Sequence, residues 1–135
     1  MRYFLLMIVM VVLVGGCAST PKVVPNSPEA KAAIEAAIRK AAKKPTGELT
    51  KSDLEGVTFL KLDGNKLTDV KGLEKLTQLT WLALIRNNLT DVKGLEKLTQ
   101  LRHLYLQNNP DLTKAQIDQL QKALPKCKIY SNPTK

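Results

Sequence analysis

The sequence predicts an α/β solenoid of three to four stacked units, with a parallel β-sheet on its concave face and an N-terminal capping helix. Two observations carry this expectation. Residues 67–79 and 89–101 both read LTDVKGLEKLTQL, at an offset of 22 residues. Self-similarity at a period of about 20 to 29 residues marks stacked units, none of which buries its apolar face alone. A frame of apolar residues ending in asparagine also recurs in register. It reads Val57, Leu60, Leu62, Asn65, then Leu79, Leu82, Leu84, Asn87, then Leu101, Leu104, Leu106, Asn109. An imperfect fourth copy, 23 residues on, is Leu124, Cys127, Ile129, Asn132.

Within each unit the spacing assigns the elements. Leu60/Leu62, Leu82/Leu84 and Leu104/Leu106 lie two apart and point to one face of a short strand. Val70, Leu73 and Leu76, then Val92, Leu95 and Leu98, are spaced by three and suit a tight helical return on the opposite side. The asparagines Asn65, Asn87, Asn109 and Asn132 form an expected ladder. Their side chains can bond backbone groups left without partners where a strand gives way to a turn.

The run LTWLALIRNNL at 79–89 has the spacing L-x-x-L-x-L-x-x-N-x-L and resembles the leucine-rich repeat. The 22-residue length and the Leu-Thr-Asp-Val continuation look like the bacterial, internalin-type subclass. The resemblance covers 57–132. It departs at Gly72 and Gly94, where that subclass often carries proline, so looser return segments are expected.

A short stack needs both ends covered. Ser27 is a candidate N-cap, Pro28 suits the first helical position, and Glu29 complements the helix dipole. Ala30, Ile34, Ala37, Ile38 and Ala41 then make one apolar stripe. Pro45 and Gly47 end this capping helix, and a rudimentary half-unit is expected over 48–53. At the far end, Thr113 and Gln116 fit a capping box. A helix to about Ala123 follows, and a strand around 127–130 closes the sheet.

The first residues read as a targeting segment. Arg2 precedes an apolar run of 11 residues at 4–14, and Gly15, Gly16 and Cys17 follow. That arrangement suits a cleavable signal peptide, since spanning a bilayer takes roughly 20 apolar residues. The segment Val14-Gly-Gly-Cys17 resembles the lipobox of bacterial lipoproteins. The resemblance implies cleavage before Cys17, lipidation of that cysteine and a place in the bacterial cell envelope. Ala18, rather than aspartate, follows the cysteine, which implies outer membrane over inner. The expected organisation is a signal peptide at 1–16, a lipidated tether at 17–26, the capping helix at 27–45, the repeat domain at 46–132 and a tail at 133–135.

The chain carries two cysteines and a formal charge of +9. Cys127 replaces a core leucine of the fourth unit, so it reads as a small buried apolar residue without a disulfide. The lysines are scattered, as on a solvated surface, whereas nucleic-acid binding needs a clustered stripe. Attraction to anionic headgroups or acidic wall polymers stays open.

The strand residues between the leucines face outward on the concave side: Phe59, Lys61 and Asp63; Trp81, Ala83 and Ile85; His103, Tyr105 and Gln107. Three of the four aromatics beyond the leader, and the only histidine, fall on this face. Stacking the strands sets Phe59, Trp81 and His103 in one row, with Lys61, Ala83 and Tyr105 in the next. Such a row suits a recognition surface rich in aromatic contact area. It would also serve as cross-strand packing or lie buried in a homodimer. No paired carboxylates, nucleophile–base pair, metal-ligand spacing or Gly-rich phosphate loop appears. The sequence therefore points to a non-enzymatic, membrane-anchored module for an unidentified protein or peptide, with no cofactor. A structural or adhesive envelope lipoprotein holding cell-wall polymer is the alternative.

Overall fold

The computed structural model describes residues 24–132. The leader, Cys17, most of the tether and the tail lie outside the described residues. Helix α1 spans Pro28–Ala41; Ser27 Oγ accepts the Ala30 N–H at 3.2 Å, and Pro28 opens the first turn. Hydrogen bonds from its own backbone amide, then from Ser27, hold the Glu29 carboxyl below its ordinary pKa. Ala30, Ile34 and Ile38 are buried, with Ala37 and Ala41 partly so, and the stripe lies against the first repeat. The chain leaves the helix through Lys43 at φ +54°. Arg39 Nη1 ties this turn down by donating to the Gly47 carbonyl at 2.8 Å.

The expected half-unit at 48–53 is instead a helix, α2 (Lys51–Glu55). The cause is local. Thr50 Oγ1 accepts the Asp53 N–H, and Asp53 Oδ2 accepts the Thr50 N–H at 2.7 Å, which closes a capping box.

Four short strands follow: β1 (Phe59–Lys61), β2 (Trp81–Ala83), β3 (His103–Tyr105) and β4 (Lys128–Tyr130). They form one parallel sheet in sequence order. Between strands the chain returns over the convex side through 3-10 turns at Leu73–Lys75 and Leu95–Lys97. The frame leucines and the Val-Leu-Leu triplets of these returns are buried in one continuous core. The α/β solenoid expected from the repeat is the observed architecture.

The returns are not loosened by their glycines. Gly72 and Gly94 sit at φ +98° and +106°, a region closed to proline and costly for other L residues. Each glycine N–H is held by the carboxylate two residues on, Glu74 Oε2 at 2.7 Å and Glu96 Oε2 at 2.6 Å. Glycine is what this turn requires.

The final helix, α3 (Lys114–Ala123), starts from a capping box between Thr113 and Gln116. It covers the end of the core with Leu120, which is buried.

Candidate functional site

The register sets Phe59, Trp81, His103 and Lys128 abreast, and Lys61, Ala83, Tyr105 and Tyr130 abreast in the next row. The rings follow the first row and then cross to the second. Phe59 stacks on Trp81 with centroids 4.1 Å apart, and Trp81 tilts against Tyr105 at 5.2 Å. Tyr105 then stacks on Tyr130 at 4.6 Å. The chain crosses from one row to the next because Ala83, beside Tyr105, carries no bulk beyond Cβ. A diagonal neighbour on the same sheet face is within reach of an aromatic ring. His103 lies off this line, its ring 6.4 Å from that of Tyr130.

One of the nine outward positions offers no contact surface, and a second is held along the sheet. Ala83 is only 1% exposed, covered by its larger neighbours. Asp63 turns its carboxylate along the sheet, where Oδ1 accepts the Ile85 N–H at 2.9 Å. Its other oxygen lies 3.6 Å from Lys61 Nζ. Phe59 is 54% exposed and Lys61 is also exposed, while Trp81, Ile85, His103, Tyr105 and Gln107 are half-buried. The Nδ1 of His103 and the Oε1 of Gln107 are shielded and lack a hydrogen-bond partner among the described residues. Tyr130, 38% exposed, belongs to the face as well and completes the ring chain. Its signal was present: it follows Ile129 as Tyr105 follows Leu104 in the frame.

Below the strands the asparagines act between units. Asn87 Oδ1 accepts the N–H of Asn65 at 3.0 Å and of Leu67 at 3.1 Å, and its Nδ2 donates to the Leu62 carbonyl at 3.0 Å. Asn109 repeats this one unit on, with the Leu89 N–H at 3.2 Å and the Leu84 carbonyl at 2.9 Å. Asn65 has no earlier unit to reach and donates to its own Asp63 carbonyl at 3.3 Å. Asn132 is exposed and accepts from the Asn108 N–H.

A second ladder runs along the threonines. The Thr90 N–H donates to the Thr68 carbonyl at 3.1 Å. Thr68 has no repeat before it, and Asn26 Oδ1 accepts its N–H at 2.7 Å. Asn26 also accepts from the Asp69 N–H, and its Nδ2 donates to Asp69 Oδ1 at 2.9 Å. At the far end Gln116 Nε2 donates to the Thr90 carbonyl at 2.9 Å. An amide side chain thus closes each end. Asn26, 6% exposed, belongs to the repeat domain and not to the tether.

No family model matches the sequence, and no curated protein does. Solved structures do match. Internalin C2 from Listeria monocytogenes aligns with a TM-score of 0.51 at 20% identity, over 76% of this chain and 56% of that one. The fold is an internalin-like leucine-rich repeat. The internalin inlF from Listeria monocytogenes aligns at 0.48 and 21% identity, over 86% of this chain and 48% of that one. The CBM51-2 and INT domains of Clostridium perfringens ZmpB align at 0.49 and 30% identity, over 65% of this chain and 18% of that one. The chain spans about half the length of the internalins it matches.

On the strands of this internalin-like repeat the exposed outward side chains, Phe59, Lys61, Lys128 and Tyr130, are aromatic and cationic. No group of three or more His, Cys, Asp or Glu among the described residues is placed to hold a metal ion. Burial pushes the Cys127 thiol up to about 11, which leaves it protonated at neutral pH. No described helix is long and apolar enough to cross a membrane.

Proposed function

We propose that this chain is a lipid-anchored binding module that docks a protein or peptide on the aromatic chain of its concave sheet. The observation that carries the proposal is the continuous contact from Phe59 through Trp81 and Tyr105 to Tyr130, spanning all four strands, with both end rings exposed. Stacked leucine-rich units present extended concave surfaces of this kind to partners. Tyr and Trp supply large contact area with few rotatable bonds, and they concentrate at interface hot spots. Phe59, Trp81, Tyr105 and Tyr130 are the contact residues, with Lys61, Ile85, His103 and Gln107 around them.

The test is Trp81→Ala against partner capture from a bacterial envelope extract. Loss of capture with an unchanged far-UV circular dichroism spectrum supports the proposal. Full capture by the folded variant refutes it.

Anchoring rests on the lipobox resemblance at Val14-Gly-Gly-Cys17. Asn26, docked on the first repeat, lies nine residues after Cys17. An extended chain of that length reaches at most about 30 Å, so the domain would work close to the bilayer surface. In the expressing bacterium, Cys17→Ser should accumulate an unprocessed precursor that takes up no labelled palmitate. Normal maturation of that variant would refute the anchor.

A further inference from the structure

The concave sheet ends at β4 with one edge open. The Lys128 N–H donates to the Arg102 carbonyl at 2.8 Å, and the Tyr130 carbonyl accepts the Leu106 N–H at 2.7 Å. Both residues therefore turn their backbone groups towards β3. Successive residues of a parallel strand alternate between its two edges, so the N–H and C=O of Ile129 aim away from β3. Among the described residues no strand lies beyond β4. A helix packs beside each terminal strand, α1 on β1 and α3 on β4, but no hydrogen bond among the described residues engages the outward N–H or C=O of Ile129.

Two cationic side chains flank this strand. Lys126 and Lys128 are exposed on either side of Cys127, and neither pairs with a carboxylate among the described residues. Edge lysines oppose pairing with a second copy, since two such edges would bring four ammonium groups together. They favour an incoming strand of negative charge. Tyr130 adds an exposed ring at the end of the aromatic chain, where an alternate side chain of an added strand would land.

We propose that the β4 edge takes an extended acidic segment of a protein partner as a fifth strand. Ile129 supplies the backbone hydrogen bonds, Lys126 and Lys128 face the segment's carboxylates, and Tyr130 packs on one of its apolar side chains. This inference does not rest on docking at Phe59 and Trp81.

The test uses a short peptide alternating glutamate with valine, and amide exchange at Ile129 read by NMR. The peptide should bind at low salt and slow exchange at Ile129. Lys126→Glu with Lys128→Glu should weaken binding by about tenfold or more, through loss of exposed ion pairs and added repulsion. Ile129→Pro removes the outward N–H without touching the ladder to β3, and it should abolish binding. Trp81→Ala should leave this binding unchanged, which separates it from the concave docking site. If Ile129→Pro does not fold, a peptide N-methylated at alternate residues replaces it and should not bind. Four results would overturn the proposal. They are binding without Ile129 protection, an equally protected edge in the free monomer, concentration-dependent dimerisation with the same protection, and equal protection by a single-stranded oligonucleotide.

Discussion

The indole of Trp81 lies on the ring of Phe59, planes 13° from parallel, across neighbouring strands whose register sets the two residues directly opposite. Trp81 is the only tryptophan, so its fluorescence reports on the concave face alone. Phe59→Ala removes one side of the stack. It should shift the emission to the red and lower stability by about 0.5 to 1.5 kcal/mol in urea unfolding. An unshifted emission would mean that Phe59 does not cover the indole.

The two asparagines Asn87 and Asn65 occupy the same place in the frame but carry different loads. Asn87→Ala leaves two amide donors and one carbonyl without partners, in a buried setting. The expected cost is about 2 to 4 kcal/mol, at roughly 1 to 3 kcal/mol for each buried unpaired group with partial relief by water. Asn65→Ala removes one long bond within its own turn and should cost about 1 kcal/mol or less. Equal losses in a denaturant series would contradict the ladder's direction.

A Cβ on Gly94 would meet only Glu74 Cβ, at an ordinary contact distance of 3.9 Å, yet the φ of Gly94 is +106°. Gly94→Ala should therefore cost about 1 to 2 kcal/mol from backbone conformation alone. Gly94→Pro should abolish cooperative thermal unfolding, because the ring fixes φ near −65°. A Pro variant with the parent's melting temperature would show that the return adopts another conformation.

Asp53 gives the fold a pH dependence. The Lys44 ammonium at 2.7 Å, then the Thr50 amide and hydroxyl, lower its carboxyl from 3.8 to about 2. A depressed folded pKa contributes stability that is complete above the unfolded value and lost as pH falls through the folded one. Urea midpoints should drop between about pH 4 and 2. Lys44→Ala removes the largest cause and should flatten the drop in that window. An unchanged slope would assign the acid sensitivity to other groups.

Legibility in the sequence followed the range of each interaction. The frame leucines repeat because every unit buries the same side chains, so a single chain displays the core directly. The capping boxes at Thr113 and at Thr50 span three residues; one was visible from spacing, and the other lay hidden in a segment expected to be a half-unit. Asn26 gave no local sign, since the amides it caps lie 42 and 43 residues away. Alternation put Ala83 and Asp63 among the outward positions, but it carries no information on neighbouring bulk or on side-chain hydrogen bonds. The same alternation, carried one unit further, reaches Tyr130. The path of the rings was not legible at all, because it depends on Trp81 and Tyr105 meeting diagonally where Ala83 is small.

Photo-crosslinking measures the proposed docking face most directly. Benzoylphenylalanine would replace Phe59 or Tyr130 on the concave side, and Lys75 on the convex side, in the full chain expressed in a bacterial envelope. Irradiation should give the same discrete adduct from both concave positions and none from the convex one. An adduct from position 75 alone, or none from 59 and 130 in variants that fold, would contradict the aromatic chain as the binding surface.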